Sequence, residues 1–162
     1  SSHSFFLTAY VGWNFKLDST FGLTDYMNIG NSGFLYYLAP STGLEYQQRY
    51  AAKNPAIEGA ITRWYFSMDA RLRFKNGKGF TRRYLGLTLF ELTANYTGRK
   101  KIGSNLAIPE NYTHLFKTEF SYYPLQTENF SIGLSYNNGE DPISAIELQN
   151  FWQLAFKLKL TY

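Results

Sequence analysis

Few side chains in this chain could carry out covalent chemistry. It has two histidines, His3 and His114, and no cysteine. That excludes a cysteine nucleophile, a thiolate metal site and a disulfide scaffold, and it leaves too few imidazoles for a histidine metal cluster. His114 could act as a general base toward Ser121 or a loop serine, but proton transfer needs hydrogen-bond reach, which nothing in the local spacing supplies. Gly139-Glu140-Asp141-Pro142 offers an acidic pair in a long polar stretch. Two adjacent carboxylates fall far short of the six to eight oxygens calcium takes, so a solvated turn is the simpler reading. Arg99-Lys100-Lys101, in another long polar stretch, could meet phosphate or simply solubilise a loop. No cofactor pattern is present.

The remaining charges share a different property. Arg63, Asp69, Arg71, Arg73, Glu91, Lys117, Glu119, Lys157 and Lys159 lie inside segments whose alternate residues are apolar. In Ala60 to Phe74, the residues Trp64, Phe66, Met68, Ala70, Leu72 and Phe74 share one parity, and Arg63, Tyr65, Ser67, Asp69, Arg71 and Arg73 the other. A period of two predicts a strand with one apolar and one polar face. Phe5 to Leu17, Tyr112 to Tyr122, Phe130 to Tyr136 and Trp152 to Tyr162 repeat the pattern. Phe80 to Tyr96 changes phase between Leu89 and Phe90, which predicts a β-bulge there. Phe21 to Ile29, a turn at Gly30-Asn31-Ser32-Gly33 and a strand from Phe34 complete the series, giving about eight strands, the smallest usual number for a closed membrane barrel.

Turn signals suggest the topology. Lys75-Asn76-Gly77-Lys78 and Pro124 to Glu128 read as short hairpins, whereas Thr97 to Asn111 and Asn137 to Gln149 read as long loops. Short and long connections then fall at opposite ends of an up-and-down antiparallel sheet. The 162 residues make one domain, 1–162, with no linker or internal repeat.

Composition narrows the environment. The chain is 44% hydrophobic and 19% aromatic, yet its apolar runs are broken well before the roughly 18 residues a spanning helix needs. The net charge of +4 is small and spread out, so nucleic acid is not indicated. The opening residues do not read as a signal peptide, which leaves a cytosolic chain or an exported one already processed.

Ring placement favours a membrane. Three segments carry an aromatic at both ends of the apolar face, ten positions apart: Trp64 and Phe74, Tyr112 and Tyr122, Trp152 and Tyr162. Ten residues at about 3.3 Å, tilted by roughly 40°, rise about 25 Å, the height of the apolar band of a membrane barrel. Tyrosine and tryptophan suit the two interfaces because the ring lies in lipid while the polar atom stays hydrated. The mid-strand charges would then face the lumen and pair there. Closure into a barrel follows, because an open edge in hydrocarbon leaves peptide groups unpaired.

The chain resembles the small outer-membrane β-barrel proteins of Gram-negative bacteria. The most specific part is the final segment, Phe151-Trp-Gln-Leu-Ala-Phe-Lys-Leu-Lys-Leu-Thr-Tyr162, with apolar residues at every second position and a terminal aromatic. In that family such an ending resembles the signal read by the barrel-assembly machinery, although the glycine often found within it is absent here and Lys157 occupies that neighbourhood. The resemblance implies an all-β transmembrane antiparallel barrel in the bacterial outer membrane. Termini and short turns would face the periplasm, and the two long loops would lie outside the cell. It implies outer-membrane lipid, including lipopolysaccharide, and the assembly machinery as partners, and another envelope protein as a further one. The close His-x-Ser arrangement of lipid A deacylases and outer-membrane phospholipases is missing, since Leu115-Phe116-Lys117 follow His114. The leading expectation is a structural or interaction element of the envelope. A narrow porin-like channel is the alternative, and a lipid-modifying enzyme using His114 or a water-soluble lipid-binding barrel stand behind it.

Overall fold

The structure is a computed structural model that describes residues 2–12, 22–23, 25–30, 32–51, 58–75, 88–105, 111–125, 129–141 and 146–158. Among the described residues every regular element is a strand: β1 (Ser2–Gly12), β2 (Met27–Asn28), β3 (Phe34–Ala51), β4 (Gly59–Lys75), β5 (Thr88–Ser104), β6 (Tyr112–Tyr122), β7 (Phe130–Asp141) and β8 (Ile146–Leu158). They form one eight-stranded antiparallel sheet in the order β1-β3-β4-β5-β6-β7-β8, with β2 also paired to β3.

β1 and β2 share one lane. β1 lies opposite Ser41 to Ala51 of β3, and β2 lies opposite Leu35 and Tyr36 of the same strand. Pro40, which cannot donate to a ladder, falls next to the end of β1, where Gly12 pairs with Ser41. The eight strands therefore occupy seven lanes, and because every neighbour is antiparallel, the edge strands β1 and β8 run in the same direction. Among the described residues β1 and β8 do not pair, so the up-and-down sheet is not closed.

The alternating segments become strands as their periodicity predicts. β4 contains Ala60 to Phe74, β6 spans Tyr112 to Tyr122, and β7 begins at Phe130. The bulge falls at Leu89: Phe74 pairs with Phe90 and Lys75 with Thr88, leaving Leu89 between them. Two expectations need correction. The long loops predicted at Thr97 to Asn111 and Asn137 to Gln149 are largely strand, since β5 runs on to Ser104, β7 reaches Asp141 and β8 starts at Ile146. Polar and glycine residues were read there as loop, but a sheet with one polar face takes them in its ladder. The alternation of long and short connections disappears with them, because 76–87 separates β4 from β5 whereas 142–145 separates β7 from β8. The Asn76-Gly77 turn, Trp13 to Leu17 and Lys159 to Tyr162 lie outside the described residues.

The sheet separates its faces by polarity. One face carries the odd residues of β1 and, between bulges, the even residues of β3 to β8. Its rings and aliphatic chains are exposed: Trp64 by 46%, Leu154 by 60%, Trp152 by 66% and Phe156 by 68%. The opposite face buries Glu45, Gln47, Arg63, Glu91, Arg99, Ser121 and Ser131, together with the apolar Leu35, Ile61, Tyr65 and Leu115. This inverts the arrangement of a protein folded around an apolar core.

Candidate functional site on the polar face

The buried face is organised by ion pairs, two of which cross an intervening strand. Arg99 on β5 donates from Nε to both carboxylate oxygens of Glu45 on β3, at 3.1 and 2.9 Å, passing over β4. Lys157 on β8 reaches Glu119 on β6 across β7, above Gly133, whose added Cβ would stand 2.9 Å from Glu119 Oε1. Side chains can span two strand spacings, roughly 10 Å, only where the sheet curls toward them, so the polar face is the concave one. Glu119 also accepts from the Ser121 hydroxyl at 2.8 Å.

Toward one end the charges pair more locally. Arg73 donates to Glu91 at 3.0 Å, and Glu91 accepts a further bond from the Tyr123 hydroxyl at 3.1 Å. Arg71 pairs with Asp69 at 2.8 Å. The Arg73 guanidinium lies 4.9 Å from the centre of the Tyr26 ring and that of Arg71 5.3 Å from Tyr37, while the two tyrosine rings are 5.3 Å apart. Tyr26, just before β2, thus stacks over this end of the polar face and places its cations over aromatic π clouds. Arg63 donates to Gln47 Oε1 at 3.0 Å.

A hollow of about 320 Å³ opens beside the Glu45–Arg99 pair. Strand register explains it. One row across β1, β3, β4 and β5 holds Tyr10, Gly43, Tyr65 and Arg99, and the adjacent row holds Gly12, Ser41, Ser67 and Thr97. Short hydroxyl side chains in the second row leave space beside the bulky first row. Gly43 is required where it stands: an added Cβ would lie 2.7 Å from Tyr10 Cα and 2.9 Å from Tyr65 Cε1. Tyr65 is buried below the opening, whereas Tyr10 stands at its rim, 70% exposed.

The exposed face carries a continuous ring row at one end. Phe34, Phe74, Phe90 and Tyr122 occupy the same register on β3, β4, β5 and β6. Successive centroids are 4.8, 6.4 and 5.2 Å apart. Toward the other end stand Trp64, Tyr112 and Trp152, the last with its ring 4.8 Å from Tyr136. The hydroxyls of Tyr96 and Tyr112 meet above Gly98.

Of the charges expected to act together, Asp69, Arg71, Arg73, Glu91, Glu119 and Lys157 are brought into pairs on the concave face, with buried Arg63 beside Gln47. Lys117 shares that face but is exposed, and Lys159 lies outside the described residues. Tyr162 also lies outside them. Arg99 corrects an expectation: read as part of a cationic loop, it is instead buried in β5 and held by Glu45. Of its neighbours, Lys100 is exposed on the apolar-face parity and Lys101 is half-buried. His114 and Ser121 fall on opposite faces of β6, so the base–nucleophile pair considered for them does not form. His114 Nε2 instead lies 3.3 Å from Asn138 Oδ1. Glu140 and Asp141 end β7 rather than forming a turn. Sequence reasoning missed Glu45 and the hollow; the signal for Glu45 was its place between apolar Leu44 and Tyr46, with Gln47 two positions on.

Comparison with protein-family models, curated proteins and solved structures finds no match to this chain.

Proposed function

We propose that this chain forms an integral β-barrel of the bacterial outer membrane and serves as a structural and interaction element of the cell envelope without catalysis of its own. The observation that carries the proposal is the inverted polarity of the sheet. A face bearing Trp152, Leu154 and Phe156 stands exposed while Glu45, Arg63, Glu91 and Arg99 are buried opposite it. Hydrocarbon outside a paired polar interior stabilises that distribution, and water outside does not. The same distribution speaks against a water-soluble lipid-binding barrel, whose concave face must be apolar.

Register adds a second support. Along hydrogen-bonded rows, Trp152 on β8 is level with Tyr136, Thr118, Ala94 and Ala70, and Ala70 is six residues further along β4 than Trp64. If the two tryptophans mark one interface, that interface slides about 20 Å along the strands over four strand steps of about 4.8 Å each, a tilt of about 45°. Membrane barrels tilt their strands by about 35–45°. Lipid contacts the exposed face, and Lys100, paired with Trp64 across β4 and β5, stands close to that interface, where a lipopolysaccharide phosphate would meet it. The alternating β8 supports recognition by the barrel-assembly machinery.

The test is tryptophan fluorescence of protein refolded into vesicles of brominated phospholipid, with Trp64 or Trp152 left as the sole tryptophan. Both are expected to be quenched, more by shallow than by deep bromines. Emission unaffected by bromine in folded protein would overturn the proposal.

A narrow porin-like channel is the second reading, favoured by the open hollow on the concave face. Planar-bilayer recording separates the two. Paired charges filling the interior predict no reproducible conductance steps, whereas steps of uniform size would establish the channel.

A further inference from the structure

We propose that the hollow beside Glu45 and Arg99 binds a small neutral polyhydroxylated solute, a sugar of monosaccharide size. The inference stands on the polar face alone and does not depend on what bathes the opposite one. A volume of about 320 Å³ lies at the lower end of the roughly 300–1,000 Å³ typical of small-molecule sites. Ser41, Ser67 and Thr97 sit side by side on three neighbouring strands and supply one row of hydroxyls along its wall. A hydroxyl both donates and accepts, so such a row matches a ligand whose own groups do the same and whose order of donors and acceptors is not fixed.

Charge narrows the class further. Among the described residues the charged ones lining the hollow are Glu45 and Arg99, and they are bound to each other at 2.9 Å. An anionic solute drawn to the guanidinium would meet the carboxylate, and a cationic one drawn to the carboxylate would meet the guanidinium. Either would have to break a buried pair, which leaves a desolvated charge behind. A neutral molecule can bond to the outer edges of both without separating them. Tyr65 beneath the opening and Tyr10 at its rim add ring surface against which the C–H side of a pyranose can shelter from water.

The experiment is equilibrium dialysis of the purified full chain in detergent against labelled D-glucose, D-glucosamine and D-glucuronate, which present one ring with three charges. Saturable binding of D-glucose is expected, with each charged analogue at least tenfold weaker. Tyr10→Ala and Ser67→Val should each weaken glucose binding tenfold or more. Ser135→Val, on the same face but outside the hollow, should leave it unchanged. Tyr10 is exposed, so its removal leaves folding intact and keeps the test decisive if Ser67→Val misfolds. Absence of saturable glucose binding by the folded wild-type chain would overturn the proposal. Equal retention of the three sugars, or equal loss on Ser135→Val, would overturn it too.

Discussion

Glu45 on β3 and Arg99 on β5 form a buried ion pair across β4, with both carboxylate oxygens engaged by one guanidinium nitrogen. Their side chains are only 7% and 9% exposed, so removing one strands the other away from water. Breaking such a pair costs about 3–5 kcal/mol, whereas replacing both partners with neutral groups of similar volume is often nearly neutral. Glu45→Ala and Arg99→Ala are each expected to lower unfolding free energy by about that amount in denaturant titrations. The Glu45→Gln/Arg99→Met double variant should recover most of the loss, and a double-mutant cycle should show strong coupling. Additive effects would mean that the two residues are not energetically linked.

Leu154 and Gln153 are adjacent on β8 but point to opposite faces, Leu154 opposite Leu134 and Gln153 opposite Ser135. Arginine at the midplane of a lipid-facing barrel surface costs about 2–4 kcal/mol. That cost falls to about 0–1 kcal/mol near the interfaces, and Leu154 lies two residues inside Trp152, so Leu154→Arg is expected to destabilise the protein by about 1–2 kcal/mol in bilayers, while Gln153→Arg is tolerated on the polar side. In water the order would reverse in effect, since Leu154 is 60% exposed and an arginine there would be harmless. Unfolding midpoints of the two variants in vesicles decide the matter.

Gly98 on β5 leaves room for two phenols to meet. A Cβ there would come within 2.6 Å of the Tyr112 hydroxyl and 3.2 Å of that of Tyr96. Gly98→Ala should cost about 1 kcal/mol or less, because the obstructing hydroxyl ends an exposed side chain that can shift, measured as a fall in unfolding free energy. Tyr112→Phe removes the obstructing oxygen, so Gly98→Ala should cost measurably less in that background. An unchanged cost would locate the strain in the backbone instead.

How much of this was legible in the sequence depends on how polarity was distributed around each residue. β4 was readable because charges and rings alternate without interruption, β6 was legible more weakly because Leu115, His114 and Thr118 break its alternation, and the bulge at Leu89 was readable because the apolar parity switches there. β3 was obscure: Leu35, Tyr37 and Ala39 are apolar on the concave face too, and Pro40 looks like a strand breaker unless the gap beside it is known. The outer parts of β5 and β7 were misread because polar residues on both faces look like loop when no apolar partner marks the ladder. Individual strands reveal their faces, but the Glu45–Arg99 pair and the hydroxyl row arise only from the register among β3, β4 and β5, which no periodicity within one strand encodes.

The two sheet edges set the last prediction. With seven lanes, β1 and β8 run in the same direction, so a direct seam between them is parallel. Unpaired edges in hydrocarbon leave peptide groups at several kcal/mol each, so a membrane-embedded sheet must form that seam. Its register follows from the slide of the interface, about one and a half residues per strand step and about ten over a full circuit. Following hydrogen-bonded rows, Leu154 reaches β3 at Tyr36 and Leu7 reaches it at Tyr46, ten residues apart. Leu7 and Leu154 are therefore expected to face each other across the seam, with Ala9 beside Phe156. The chain has no cysteine, so paired substitutions Leu7→Cys/Leu154→Cys and Ala9→Cys/Phe156→Cys can be oxidised without interference. An intramolecular disulfide in the folded, vesicle-embedded protein, seen as a mobility shift reversed by reductant, is the expected result. Cross-links that form only between molecules would show instead that the edges are closed by a second copy, and the parallel seam would be rejected.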